Sequence, residues 1–337
     1  MNFEMYRNKF SDEISKIYFD ARVQYLNNKS LCDFYLKIKD AGEKYVLREV
    51  EEFRVIHNIR KWVVVGEDDY ARYNCLILKD LGYSIVGVTS HDFCKLIPGV
   101  QFVSLESLGD FFEKKNVGVI INQRDLQCLG DEFCDKDNLL VMFSHIVGRN
   151  GTQYFDYFLA RDDEVFLDAG SLDGATSNKF VEWCKGGFEY IYAFEPNPTM
   201  IENCMNNFRQ YDNKAEVFNI ALWDKKEQLL FFNESSRWDA RVSAYGSVVV
   251  DGDTIDNILR GKRITFIKLD VEGAELNVLK GAKHTIISNR PRMAISVYHN
   301  ENDLFDIMKY LISLNLDYEY AIRHYHSDFI ETILYAF

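Results

Sequence analysis

The stretch between Glu164 and Tyr298 sets the tightest limit on what this chain can fold into. Five apolar runs lie there: EVFLDAG, EYIYAFEP, AEVFNIAL, ITFIKLD and RMAISVY. Segments with helical spacing separate them, among them SNKFVEWCK, PTMIENCMNNFRQ and AELNVLKGAKHTIIS. Short strands alternating with helices make a parallel sheet covered on both faces. Two further runs, LDYEYAIR and ETILYAF, extend the sheet. The same alternation occurs once earlier, in KWVVVG, YARYNCLILKDLG, YSIVGVTS, VSLESLGDFFEKK and VGVIIN. It predicts a smaller α/β domain over residues 59–122. Residues 1–58 read as a helical segment, with Ile14, Ile17, Tyr18, Ala21 and Tyr25 at helical spacing. Residues 123–157 read as a connector, and 158–337 as the larger domain.

Composition narrows the function. Hydrophobic residues make up 47% of the chain, enough for packed cores, and the formal net charge is −13. So acidic a surface repels the phosphate backbone that supplies most nucleic-acid affinity, and disfavours anionic membranes likewise. The chain is expected to bind no nucleic acid. The seven cysteines, Cys32, Cys75, Cys94, Cys128, Cys134, Cys184 and Cys204, are scattered without a C-x-x-C pair. That suits reduced thiols in a cytoplasmic protein. No run is long enough for a membrane span, and the first residues, MNFEMYRNKFSDEISK, have no signal-peptide core.

The stretch VFLDAGSLDGATS, residues 165–177, reads as strand, glycine-bearing loop and helix start. Such a loop brings backbone close to a nucleotide-type cofactor. It holds Gly170 and Gly174 but also two carboxylates, Asp168 and Asp173. A carboxylate about 4 Å from a phosphate costs several kcal/mol, whereas it suits a cation. The charge pattern therefore favours S-adenosylmethionine, which carries an ammonium and a sulfonium, over NAD. Glu195, at the tip of YAFEP, is placed to accept from ribose hydroxyls.

These pieces, with NIALWD, DTIDNIL and above all ITFIKLDVEGAELNVLKGA, resemble the FkbM-type family of S-adenosylmethionine-dependent methyltransferases over roughly residues 150–337. The resemblance implies a class I methyltransferase fold, a seven-stranded mixed Rossmann-like sheet, and O-methylation of a glycan or secondary metabolite. It implies that Asp168, Gly170, Ser171 and Gly174 line the methionine moiety and that Glu195 holds the ribose. Ala221 and Leu222 would lie near the adenine, and Asp270 would face the methyl group. Ser171-Leu172-Asp173 stands where the family commonly has Ala-Asn and an apolar residue. The tail through YEYAIRHY resembles a sugar-associated subgroup, which points to a nucleotide-activated or carrier-linked sugar of a surface polysaccharide.

A sugar hydroxyl is a poor nucleophile, so its proton must be taken up as it attacks. His299, just after the strand MAISVY, is the expected general base, with Asp270 as alternative base or substrate anchor. Glu272, Glu275 and Tyr298 are expected to bind the sugar. Arg323 is expected to clamp a phosphate of the substrate, with His324 beside it. Asp270 and Glu272 could contribute to a divalent cation site, but the sequence offers no third ligand, so no metal is expected. Trp238-Asp239-Ala240-Arg241 reads as a substrate lid.

The first α/β domain resembles small Rossmann-like domains of bacterial sugar-modifying proteins. Gly66 matches, but Asp68 and Ala71 replace the other glycines of a dinucleotide loop. Two other functions stay open: a non-catalytic scaffold of a glycan assembly complex, and an NAD-dependent sugar-modifying enzyme working through the first domain. The sequence also leaves a homo-oligomer open.

Overall fold

The computed structural model describes residues 3–38, 41, 45–97, 99–122, 125–126, 129, 133, 135–142, 152–232, 240–325 and 331–337. The chain divides into two compact units, one of residues 17–147 and 325–330, the other of residues 1–16, 148–324 and 331–337.

The smaller unit is a five-stranded parallel sheet of β1 (Lys61–Val64), β2 (Ser84–Val88), β3 (Gln101–Phe102), β4 (Val117–Asn122) and β5 (Leu139–Met142), in the order β3-β2-β1-β4-β5. Its strand β4 is buried along its whole length, as suits a parallel strand covered on both faces. β5 falls within the expected connector 123–157, so this sheet runs past residue 122. The stretch read as one helix, VSLESLGDFFEKK, is a 3-10 turn Leu105–Ser107 followed by a short helix Gly109–Phe112. The Ser104 hydroxyl caps that turn by accepting from Ser107 N.

Gly66 and Asp68 settle what the first βα turn of this unit is built for. At Gly66 a Cβ would lie 2.8 Å from the Ala71 Cβ, so the glycine serves close packing of helix on strand. Asp68 accepts from Tyr70 N and Ala71 N at 3.1 Å and caps helix Asp69–Asp80. A helix start already capped by a carboxylate is unfavourable for a pyrophosphate, which binds such ends through the same amides.

The larger unit contains β6 (Glu164–Ala169), β7 (Phe188–Phe194), β8 (Ala215–Phe218), β9 (Ala221–Leu222), β10 (Glu227–Phe232), β11 (Arg241–Val242), β12 (Val248–Asp253), β13 (Phe266–Leu269), β14 (Arg292–Ser296), β15 (Tyr320–His324) and β16 (Thr332–Ala336). Seven of them form one sheet in the order β15-β16-β14-β13-β6-β7-β8. β16 is antiparallel to both neighbours and the other pairings are parallel. This is the expected mixed sheet. Its order reverses beside β6, where β6 is followed by β7 on one side and flanked by β13 on the other.

Three local readings are corrected. AEVFNIAL is not one strand: β8 ends at Phe218, and β9 pairs instead with β12 in a separate four-stranded sheet, β11-β10-β12-β9. The chain turns away where the Asn219 side chain bonds Glu195 O. AELNVLKGAKHTIIS is two helices, Glu275–Gly281 and Lys283–Asn289, because Asp256 captures the first amides of the second through His284 N and Thr285 N. Residues 3–16, expected within a separate helical segment, join the larger unit. Phe10 bridges to Tyr320, and Ile322 N donates to Ser15 Oγ at 2.8 Å.

The end of the first of these helices is tightly packed. A Cβ on Gly281 would lie 2.0 Å from Trp223 O. Gly281→Ala should therefore cost about 1–3 kcal/mol of overpacking, read as a lower urea midpoint at unchanged m.

Candidate functional site

Parallel α/β sheets bind ligands outside the carboxyl ends of their strands. Most of the residues singled out in the sequence lie on that rim of the larger unit, after β6, β7, β13 and β14. Gly170 makes the closest junction. It has φ 78°, and a Cβ there would lie 1.9 Å from Asp270 O. Only glycine allows the loops after β6 and β13 to meet. Gly174, with φ 85°, starts helix Ala175–Trp183, and a Cβ there would press on the Phe208 ring at 2.8 Å.

The loop after β6 has already used its amides. Gly170 N and Ser171 N donate to Phe194 O, Leu172 N to Glu195 Oε2, Gly174 N to Ser171 O and Ala175 N to Asp173 Oδ1. A pyrophosphate bound there would need these donors. Asp173 thus acts as a turn acceptor at the helix start. Ser171 is buried with its hydroxyl 3.4 Å from the Cys204 sulfur.

Asp168 overturns part of the charge argument. The register of β6 and β13 sets Lys268 opposite Asp168, and Lys268 Nζ lies 3.1 Å from Asp168 Oδ1. Both side chains are buried, and Ser177 donates to the other carboxylate oxygen at 2.7 Å. Lys268 also donates to Ala169 O and Gly170 O. Burial disfavours its charge, but Asp168 and Asp270 hold its pKa above the usual lysine value. Asp168 therefore organises the loop and is not a bare anion for a cationic ligand. A lysine in the apolar run FIKLD was the available signal, since a buried amine needs a partner.

Glu195 is buried and accepts from Leu172 N and Asn197 N, both at 2.7 Å. Burial pushes its pKa up to about 7, against the pull of these two amides and Lys268. Ala221 and Leu222 are buried and paired with Gly252 and Asp253.

The densest cluster lies after β13 and β14. The Asp270 carboxylate accepts from Tyr154 Oη at 2.6 Å and has Tyr298 Oη at 3.4 Å. Tyr154 comes from the expected connector and was not anticipated. His299 is enclosed by carboxylates: Nδ1 is 2.9 Å from Glu275 Oε1, and Nε2 is 3.3 Å from Glu272 Oε2 and 3.5 Å from Asp270 Oδ1. Glu272 has φ 54°, a left-handed turn that brings its carboxylate back over the ring. Glu275, fully buried, accepts from Val271 N at 2.9 Å. Burial of His299 disfavours its charge, but Glu275 first, then Asp270 and Glu272, push its pKa up to about 10. A ring held protonated has no lone pair for a hydroxyl proton, which revises the expected role of His299. Asp270 resists burial through Lys268 and His299, which hold its pKa below the usual value. The structure also supplies the third candidate metal ligand that the sequence lacked, since Asp270, Glu272 and His299 converge.

Two expected substrate residues are otherwise engaged. Arg323 Nη1 pairs with Asp12 at 3.1 Å and bonds Ser15 Oγ at 3.0 Å. His324 is buried, with Nδ1 2.8 Å from Thr332 Oγ1. Both are committed within the fold rather than presented as a phosphate clamp. Of the expected lid, Trp238 and Asp239 lie outside the described residues, and Arg241 is on β11. Among the described residues, no helix is long and apolar enough to cross a membrane.

Comparison with known proteins agrees with this architecture. The chain is similar to the 2-O-methyltransferase NoeI of Sinorhizobium fredii, with 25% identity over 155 residues, 39% of this chain and 63% of that protein. The match thus spans less than two thirds of that relative. It is similar to the hexuronic acid methyltransferase AglP of Haloferax volcanii, with 25% identity over 176 residues, 51% of this chain and 71% of that protein. The solved structure of methyltransferase FkbM from Methylobacillus flagellatus aligns over 96% of this chain and 99% of its own, with TM-score 0.53 and 18% identity, a likeness of fold. The family model for the methyltransferase FkbM domain matches residues 168–320. That span holds both the loop after β6 and the Asp270 turn.

Proposed function

We propose that the protein is an S-adenosylmethionine-dependent O-methyltransferase that methylates a sugar hydroxyl. The observation that carries this reading is Asp270. It is an ionised carboxylate on the rim, held by Tyr154 and adjoining the Gly170 loop of a methyltransferase domain. The names of the relatives, a 2-O-methyltransferase and a hexuronic acid methyltransferase, favour a sugar acceptor. The surface-polysaccharide setting rests on the sequence resemblance alone.

In this reading the loop after β6 and Glu195 would hold the cofactor, Glu195 through the ribose hydroxyls, and Ala221 and Leu222 would border the adenine. S-adenosylmethionine, when bound, would supply an electrophilic methyl carbon; transfer to the acceptor oxygen would form a C–O bond, break the S–CH3 bond and leave a neutral thioether. The oxygen becomes strongly acidic as it gains the methyl group, so a carboxylate suffices to take its proton. Asp270, rather than His299, is that base, and it passes the proton to solvent. Glu272 and Tyr298 bind the sugar.

Calorimetric titration with S-adenosylmethionine, S-adenosylhomocysteine and NAD tests the reading. Binding of the first two, followed by transfer of labelled methyl to a uronic acid or nucleotide sugar, is the expected result. Binding of NAD alone would overturn it.

Glu195 gives a further expectation. Its folded pKa of about 7 exceeds the ordinary value of 4.5. Its contribution to stability is thus full below the unfolded value and is lost as pH rises through about 7. Ribose hydroxyls donate to the ionised form, so cofactor affinity should rise with pH across the same window and level off above it. Binding near neutral pH should release protons, seen as a dependence of the measured heat on the buffer's ionisation enthalpy. In Glu195→Gln both effects should vanish.

A further inference from the structure

The rim that carries Asp270 receives one more carboxylate, from the antiparallel strand of the sheet. β16 runs opposite to β14, so its start lies beside the end of β14. Ser296 pairs with Ile333, and Val297 N donates to Thr332 O at 3.0 Å. Glu331, immediately before β16, is thereby set next to the turn of Tyr298. Its backbone has φ 52°, the left-handed region that a glutamate seldom adopts. Its charge reaches both phenols of the site: burial first, then Asp270 and Glu331, hold Tyr154 and Tyr298 well above the ordinary tyrosine pKa.

The short 3-10 turn Thr152–Tyr154 holds this carboxylate and Asp270 together. Tyr154 donates to Asp270 Oδ2, and the preceding residue, Gln153, donates from Nε2 to Glu331 Oε2 at 3.1 Å. The turn itself is fixed to the sheet, since Tyr335 Oη donates to Gln153 O. Two consecutive side chains therefore set the spacing of two carboxylates. Gln153 is 4% exposed, and its Oε1 is buried without a hydrogen-bond partner. A buried acceptor left in that state costs stability, and a role in aiming Glu331 accounts for keeping it. Neither Gln153 nor Glu331 lies within residues 168–320, which the family model matches, whereas Gly170, Glu195 and Asp270 do. The pair stands outside the part of the site common to the family model.

We propose that Glu331 binds the acceptor sugar through hydroxyls beside the one methylated, with Gln153 as its positioning residue, and that the site takes a sugar ring without a carboxylate in preference to a uronic acid. This assignment rests on the methyltransferase reading and names the acceptor class for it. A carboxylate only accepts, and two adjacent ring hydroxyls are matched donors for it. A uronate carboxylate would instead meet Asp270, Glu272 and Glu331 with like charge. An arginine fork is the usual partner for such a group. Lys268 and Arg323, on strands that reach this rim, are paired with Asp168 and Asp12, and the protonated His299 is outnumbered by the acids around it.

The test measures labelled methyl transfer by the full chain to matched acceptors that differ only at C6: UDP-glucose against UDP-glucuronate, and UDP-galactose against UDP-galacturonate. The neutral member of a methylated pair should have at least about tenfold higher kcat/KM. Glu331→Gln should raise the KM for that acceptor about 10–100-fold, change kcat far less, and narrow the preference over the uronate. Gln153→Ala should raise the same KM, and the double variant should be no worse than Glu331→Gln alone, as for two residues that act as one unit. A merely structural Gln153 would lower stability without this split between KM and kcat. Glu331→Gln is the deciding variant, because the side chain is half-buried and the amide keeps its shape. A uronate preferred by the wild type, an unchanged acceptor KM in Glu331→Gln, or transfer to none of the four by protein that binds S-adenosylmethionine overturns the proposal. Absence of S-adenosylmethionine binding overturns the methyltransferase reading, and this assignment with it.

Discussion

Lys268→Met should destabilise the larger unit by about 3–5 kcal/mol, the usual loss when one partner of a buried ion pair is removed. The lysine makes three contacts at the strand end, to Asp168, Ala169 O and Gly170 O. Methionine fills much of the volume but leaves the Asp168 carboxylate buried, with the Ser177 hydroxyl donating to one of its oxygens. That remaining charge, more than lost packing, is the source of the penalty. Asp168→Asn in the same chain should therefore recover most of the loss, because the amide oxygen still accepts from Ser177 and no charge remains. Urea denaturation of both single variants and the double variant gives the coupling directly. If the double variant is no more stable than Lys268→Met, the ion pair is not what holds the loop.

Asp270→Asn should lower kcat by about 10²–10⁴-fold, the range for loss of a positioned general base. The substitution keeps the shape and an oxygen for Tyr154 Oη, so the folded protein should remain. Cofactor affinity should change little, since the contacts after β6 and β7 do not involve this side chain. A fall in kcat with unchanged cofactor binding is thus the expected pattern. A parallel collapse of cofactor binding would instead mark Asp270 as a structural residue of the loop junction. The pH profile adds a check. Lys268 and His299 hold the Asp270 carboxyl below the usual carboxylate range, so the wild type should stay active well into mild acid.

Much of the sheet was legible because each β-α repeat carries its own punctuation. The apolar runs of β6, β7, β13 and β14 end in Gly170, Glu195, Asp270 and Tyr298-His299, and the structure sets all of these on one rim. What was not legible depended on partners distant in sequence. Tyr154 and Asp270 are 116 residues apart, and no local pattern ties a tyrosine in an irregular segment to a strand end. Lys268 was visible as an oddity, but only the register of β13 on β6 shows which acid it meets. The hairpin of β10 and β12 was passed over because EQLLFF and SVVV break the strand-helix alternation that organised the reading. Arg323 and His324 illustrate the opposite error. Their residue types suit substrate binding, but Asp12 and Thr332 claim them first.

On the proposed reading, the contact of Gly170 with Asp270 O makes the two substrates mechanical neighbours. One loop would serve the donor of the methyl group and the other its recipient, and they touch where no side-chain carbon fits. A shift of either backbone by a fraction of an ångström must be passed to the other. Occupancy on one side is then felt as a change of aim on the other, without any moving domain. The same joint limits redesign. On that reading, new acceptors are better sought by altering the Tyr298 or Glu272 side chain than by remodelling the backbone junction that both loops share.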